Sequence, residues 1–297
     1  MEFSWDLVIN AIVTGIVLGG FYASVAIGVT IAFGMLDIVN IAHPAFMIAG
    51  AYLAFLGWES FGFDPFVSMA VFAPCGYLFG RAFYRAYHFF FERRGDESIQ
   101  GLAFFFGILF IVEIGVVLVF GVDYRSISEP YLESTIGLGF VSVPWRTMVP
   151  FLVGLCMLGS IHLYLSRTFT GRTILAVSQD VEAVRLIGAN PIRAKEIAFG
   201  IAIATAIIAG ILLIIIQPVE PSITREYIGR AFAICVLGGI ASIPGTLVAS
   251  LILGVAEALT TTFYGPSWSP AVSFGLLLLT LIFRPAGIFG RWANKPQ

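Results

Sequence analysis

The sequence predicts an all-α, polytopic membrane protein of about nine transmembrane helices, some of them broken or short. Three observations carry that expectation. Apolar residues make up 59% of the 297-residue chain, against roughly 45–50% in an ordinary soluble protein. Charged residues make up 11%, less than half of the roughly 25% such a protein carries on its surface. The apolar residues are also gathered into runs close to the ~20 residues an α-helix needs to cross the hydrocarbon layer. High hydrophobicity with little charge excludes a disordered chain. A net charge of −2 without a basic run gives no electrostatic footing for nucleic acid. No ten-residue segments alternate with a period of two, which disfavours a β-barrel. Helices must then satisfy the backbone polar groups inside the bilayer.

The runs follow in order. Met1-Glu2-Phe3-Ser4-Trp5-Asp6 has no basic residue and no small-residue cleavage site follows, so the first run reads as a retained helix rather than a signal peptide. Residues 7–36 then carry no charge at all. After an interruption at Asn40-Ile41-Ala42-His43-Pro44 come residues 45–57, 65–80, 98–121 (broken by Glu113) and 147–166. Residues 198–219 are again free of charge, and 231–256 and 258–283 flank Glu257. Breaks near Ser242-Ile243-Pro244-Gly245 and Tyr264-Gly265-Pro266 divide that last stretch into three crossings. The count is nine, within a range of eight to ten.

Orientation follows from the basic residues, which stay cytoplasmic. Arg81, Arg85, Arg93 and Arg94 follow the third run. Arg167, Arg172, Arg185, Arg193 and Lys195 occupy the long central loop, and Arg284, Arg291 and Lys295 close the chain. Arg125, Arg146, Arg225 and Arg230 fall in loops that also hold Asp123, Glu129, Glu133, Glu220 and Glu226. The two sets alternate, which puts the N-terminus outside and the C-terminus in the cytoplasm. Residues 1–297 form one transmembrane domain, with a cytoplasmic loop over 167–196.

Enzymatic chemistry finds no residues to carry it. Cys75, Cys156 and Cys235 are too few and too scattered for a disulfide framework or a zinc site, and read as packing residues. His43, His88 and His162 lack a second ligand at metal spacing. There is no GxSxG elbow. The two lysines, Lys195 and Lys295, follow Ala194 and Asn294, so the Gly-Lys pair of a phosphate-binding P-loop is missing. If ATP drives this protein, another chain hydrolyses it. No cofactor or metal is expected.

Polar groups within the apolar runs point to a solute path. A charged carboxylate at mid-bilayer costs about 2.5–3.5 kcal/mol on insertion scales, so Glu113 and Glu257 face the bundle interior. Each either joins neighbouring helices or, for Glu257, lines the path. Asn40, His43 and Ser242 lie at helix interruptions, where freed polar groups can meet a zwitterionic solute; a helix-end hydrogen bond is the other reading of His43. Gly15-x-x-x-Gly19 permits close helix approach and reads as internal packing. The phenylalanine triplets at 89–91 and 104–106 read as lipid-facing or interfacial.

The cytoplasmic loop contains a short helix over residues 178–190. Ser178 can cap it, Asp180 and Glu182 suit its positive end, and Glu182 and Arg185 can pair three residues apart. Gly188 can stop it in the left-handed conformation and Pro191 prevents its resumption. Val181, Val184 and Ile187 leave an apolar stripe, for the bilayer surface or for a cytosolic partner.

Glu182-Ala183-Val184-x-x-x-Gly188 resembles the Glu-Ala-Ala-x-x-x-Gly loop of ABC importer permeases. Other stretches resemble branched-chain amino acid permeases in order along the chain. They are Gly19-Gly20-Phe21-Tyr22-Ala23-Ser24 with Phe33-Gly34-Met35-Leu36-Asp37-Ile38-Val39-Asn40-Ile41-Ala42-His43, then Gly50-Ala51-Tyr52 and Gly171-Arg172-Thr173-Ile174. Gly238-Gly239-Ile240-Ala241-Ser242-Ile243-Pro244-Gly245, Gly254-Val255-Ala256-Glu257 and the ending Phe283-Arg284-Pro285-Ala286-Gly287 complete the set. The length is similar to that of the shorter, LivH-type subunit. The resemblance implies an importer of two permease chains, the second of LivM type, with two cytosolic ABC ATPases and a periplasmic solute-binding protein, set in a bacterial inner membrane. It further implies that Asp180, Glu182, Ala183, Arg185 and Gly188 couple the membrane domain to an ATPase. The solute would be a branched-chain or other amino acid, or an amide or urea-like compound. Pro44-Ala45 stands where the family pattern has Gly-Glu, so a carboxylate is missing at the broken helix. A self-sufficient secondary carrier or channel is the alternative, and the genes beside this one discriminate the two.

Overall fold

The computed structural model describes residues 5–92, 97–138 and 141–290. Helices dominate these residues. The chain runs through α1 (Trp5–Leu36), α2 (His43–Phe61), α3 (Pro65–Phe90) and α4 (Glu97–Phe120). A loop then carries a short antiparallel hairpin of β1 (Thr135–Leu138) and β2 (Val141–Pro144), with Thr135 opposite Pro144. After it come α5 (Trp145–Arg167), α6 (Phe169–Val177), α7 (Val181–Leu186) and α8 (Pro191–Ile216), and then α9 (Thr224–Gly238), α10 (Ile243–Tyr264) and α11 (Ser269–Phe283).

Seven helical stretches among the described residues are long and apolar enough to cross a membrane: those of α1, α3, α4, α5, α8, α10 and residues 266–283. The other two long helices fall short for visible reasons. The 19-residue α2 opens on His43-Pro44 and carries Glu59 near its end, and α9 has 15 residues that include Arg225, Glu226 and Arg230.

Local chemistry sets the ends. Proline occupies the first turn of α2, α3, α8 and α10, where its missing N–H would have had no helical partner. Asp64, Thr168, Asp180, Asn190 and Ser242 cap helices by accepting backbone N–H bonds, each worth about 1 kcal/mol. Gly239, at φ 100°, ends α9; its neighbour Ala241 also has a positive φ, 68°, a strained choice for a residue with a Cβ.

The core is the packing of α1 and α8 among the others. The most apolar 18-residue window of α1 is 83% buried and that of α8 78%, against 17% in α3 and 22% in α4. Small residues let α1 reach this depth. A Cβ on Gly15 would lie 2.5 Å from the Val255 Cα, and one on Gly19 2.8 Å from the Leu251 Cα. The Gly15-x-x-x-Gly19 pair is therefore an intrachain seam against α10.

Several expectations need correction. Phe105 is buried at 1% exposure, packed on Tyr87 and Phe199, while Phe89, Phe90 and Phe106 are exposed. Cys75 and Cys156 are exposed; Cys235 alone of the three is buried. Of the residues expected in outer loops, Arg146 lies in the first turn of α5, Arg225 and Glu226 lie in α9, and Arg230 lies buried inside α9. Met1 to Ser4 and Arg93, Arg94, Arg291 and Lys295 lie outside the described residues.

Candidate functional site

The short helix of the 167–196 loop forms one candidate surface. It spans Val181–Leu186, and its cap is Asp180, which accepts from the Glu182 and Ala183 amides at 2.9 and 3.0 Å. Ser178 instead closes α6. Arg185 donates to Glu182 at 2.6 Å in an exposed pair, and Gly188 turns the chain at φ 79°. The anticipated apolar stripe is split. Val184 is buried against the bundle, whereas Leu186 and Ile187 are 88% and 78% exposed. The short helix is held by buried Val184 and half-buried Val181, and Leu186 and Ile187 stand bare at its end.

The base of this loop is clasped to α3. Arg85 binds Glu196 through Nε and Nη2 at 2.9 and 2.8 Å. Just beyond α3, Glu92 accepts from Lys195, from the Tyr84 hydroxyl at 2.5 Å and meets His88 Nδ1 at 2.8 Å. Burial opposes ionisation of Glu92, but these partners together hold its carboxyl below the usual carboxylate range.

A polar network lies at the opposite, hairpin-bearing end. Glu257 on α10 is 2% exposed. Its Oε1 accepts from Arg230 Nε at 3.1 Å and Ser273 Oγ at 2.5 Å, and its Oε2 accepts from the Tyr22 hydroxyl at 2.5 Å. Arg230 also donates to Glu226 and Ser269, both at 3.2 Å, and its guanidinium lies over the Tyr22 and Tyr227 rings. One buried ion pair thereby joins α1, α9, α10 and α11. A cavity of about 390 Å³ opens beside it, walled by α1, α8, α9 and α10.

The remaining expected residues sit elsewhere. Asn40 and His43 are 2% and 0% exposed; neither amide atom of Asn40 has a hydrogen-bond partner among the described residues, and the His43 ring faces the Val25 backbone. The His43 ring fits only because α1 has glycine opposite: a Cβ on Gly28 would lie 2.2 Å from His43 Cε1. Ser242 accepts from the Gly245 amide at 3.1 Å and lines a cavity of about 560 Å³ with Ser178 and Gln179 of the 167–196 loop. The four path candidates are thus spread over three places. Glu113 meets Arg225 at 3.2 Å, a link between α4 and α9.

Sequence reasoning missed Tyr22, Arg230 and Ser273. Arg230 had a signal, since it directly precedes the charge-free run 231–256. Tyr22 and Ser273 had none beyond their place in apolar runs. Among the described residues no group of three His, Cys, Asp or Glu side chains is placed to hold a metal ion.

The family model described as the branched-chain amino acid transport system permease component matches residues 11–281. The high-affinity branched-chain amino acid transport system permease protein BraD of Pseudomonas aeruginosa is 30% identical, over 95% of this chain and 96% of that protein. LivH of Escherichia coli K12, described in the same terms, is 28% identical over 93% and 94%. LivM of that organism is 33% identical over 129 residues, 43% of this chain and 29% of LivM. Among solved structures, PsaBC from Streptococcus pneumoniae in complex with Fab superposes with a TM-score of 0.50 at 12% identity, covering 97% of this chain and 95% of that one. That likeness concerns the fold alone.

Proposed function

The chain belongs to the branched-chain amino acid transport permease family, and we propose from that membership that it is the passive membrane subunit of an ATP-driven importer in the bacterial inner membrane. It is a multi-pass permease component rather than an enzyme. Two cytosolic ABC subunits hydrolyse the ATP, a periplasmic binding protein delivers the solute, and a LivM-type chain forms the other half of the pore. The partial match to LivM supports that pairing. The solute is a branched-chain or other amino acid, or an amide or urea-like compound.

Nine crossings, α1 to α5 and α8 to α11, run with the N-terminus outside and the C-terminus in the cytoplasm. This order leaves Arg81, Arg85, Arg167, Arg172, Arg185, Arg193, Lys195 and Arg284 inside, in keeping with the basic bias of cytoplasmic loops. Two backbone contacts agree with it. Arg125 bridges to Val219 and Ile288 bonds to Leu237, each joining segments that fall on one side. The 15-residue α9 is shorter than a usual span, but it packs among α1, α10 and α11.

The exposure of Leu186 and Ile187 on a capped helix outside the bundle carries the coupling role. Asp180, Glu182, Ala183, Arg185 and Gly188 dock in a cleft of one ATPase, and closure of the ATPases moves α7. The Glu92–Lys195 and Arg85–Glu196 clasps pass that displacement to α3. Asn40, His43, Ser242 and Glu257 mark the solute path. The test is Leu186→Asp with Ile187→Asp in the assembled transporter. Both side chains are solvent-facing, so insertion should be normal, while loss of an apolar anchor should weaken ATPase association by about tenfold or more. Unchanged solute-stimulated ATP hydrolysis would defeat the docking role, and concentrative uptake by this chain alone would favour a secondary carrier.

A further inference from the structure

We propose that the 390 Å³ cavity at the outer ends of α1, α8, α9 and α10 recognises a solute through an ammonium or similar cationic donor, and that Glu226 is the group that reads it. The proposal rests on the permease reading and adds the head group that this site accepts.

Three charged residues line the cavity: Glu226, Arg230 and Glu257. Every guanidinium nitrogen of Arg230 already has a partner: Nε on Glu257, Nη1 on Glu226 and Nη2 on Ser269. Both oxygens of Glu257 are likewise occupied, by Arg230 and Ser273 on one side and Tyr22 on the other. A solute anion entering here meets no free cation. The two N–H donors that Arg230 has left, one on each Nη, belong to a guanidinium already shared by two carboxylates and only 10% exposed, so an anion reaching them would lie beside both negative charges.

Glu226 differs. Its Oε2 holds Arg230, but Oε1 makes no hydrogen bond among the described residues, and the side chain is 53% exposed. Two carboxylates and one guanidinium leave the cavity with one uncompensated negative charge, and that charge belongs to Glu226. The other polar groups on the wall, such as Asn10, Thr14 and Gln217, are neutral, while Leu18, Phe21 and Ala258 give an apolar side for a hydrocarbon tail. The volume falls within the roughly 300–1,000 Å³ of small-molecule pockets. An amphipathic solute would therefore lie with its cationic head at Glu226 and its tail on α1 and α10.

Calorimetric titration of the purified full-length chain in detergent tests this with three probes of shared hydrocarbon shape: leucinamide (cationic), leucine (zwitterionic) and 4-methylpentanoate (anionic). Leucinamide and leucine should bind, and 4-methylpentanoate should bind at least about tenfold more weakly. Glu226→Gln, which keeps an oxygen for Arg230, should weaken leucinamide by a similar factor, while Glu133→Gln, outside the cavity, should change nothing. Equal binding of anion and cation overturns the proposal, as does indifference of leucinamide to Glu226→Gln or the failure of all three probes at millimolar concentration. The ranking of probes on the unaltered chain holds even if the variant folds poorly. ATP-driven uptake by the complete transporter tests the permease reading separately.

Discussion

Removing Arg230 strands Glu257. The guanidinium is the only cation within hydrogen-bonding reach of that carboxylate among the described residues, and breaking a buried pair from one side costs about 3–5 kcal/mol. Arg230→Met should therefore lower the stability of the detergent-solubilised chain by about 3 kcal/mol, the low end because Tyr22 and Ser273 still donate to Glu257. Glu257→Gln should cost less, since a neutral amide leaves no buried charge and Arg230 keeps Glu226. Thermal denaturation of both variants side by side checks the order. If Arg230→Met melts with the parent, the pair is not what joins the four helices. At this scale the sequence was half legible. A lone acid in an apolar run announces itself by its desolvation penalty, so Glu257 stood out. Its partner did not, because Arg230 lies 27 residues away and four residues from Glu226, in what read as a polar loop.

Among the elements, α7 shows how far local signals reach. Acid at its start, Gly188 at its end and Pro191 beyond were readable, because caps and stops act through the nearest few residues. Which of two neighbouring polar residues caps the helix was not, since Ser178 and Asp180 both have the chemistry. The chain gives the role to Asp180 by extending its backbone there, at φ −155° and ψ 107°. Asp180→Ala should fray a helix only six residues long, at a cost of about 1 kcal/mol, while Ser178→Ala should not. In the assembled transporter, coupled ATP hydrolysis should fall in the first variant and hold in the second. The reverse outcome would return the cap to Ser178. The split of Val184 from Leu186 and Ile187 was also out of sight, because periodicity gives a stripe but not the surface it meets.

For the molecule as a whole, the proposed orientation gives a direct measurement. With Cys75, Cys156 and Cys235 replaced, Asp123→Cys should react with a membrane-impermeant thiol reagent in intact spheroplasts. Gln179→Cys should react only after the membrane is opened. Labelling in the opposite sense would invert the topology. The positions are matched in setting, since Asp123 and Gln179 are both exposed and outside the long helices.

Composition and run length by themselves determined that this chain is a helical membrane protein, because insertion of each apolar segment depends on that segment's own transfer free energy. Only the tertiary structure decided which helices are central, that Gly15 and Gly19 open a seam for α10, and that Arg230, Glu257 and Tyr22 meet. Those outcomes depend on contacts between residues tens to hundreds of positions apart, as between Tyr22 and Glu257, and no local pattern encodes such a meeting until the helices have packed.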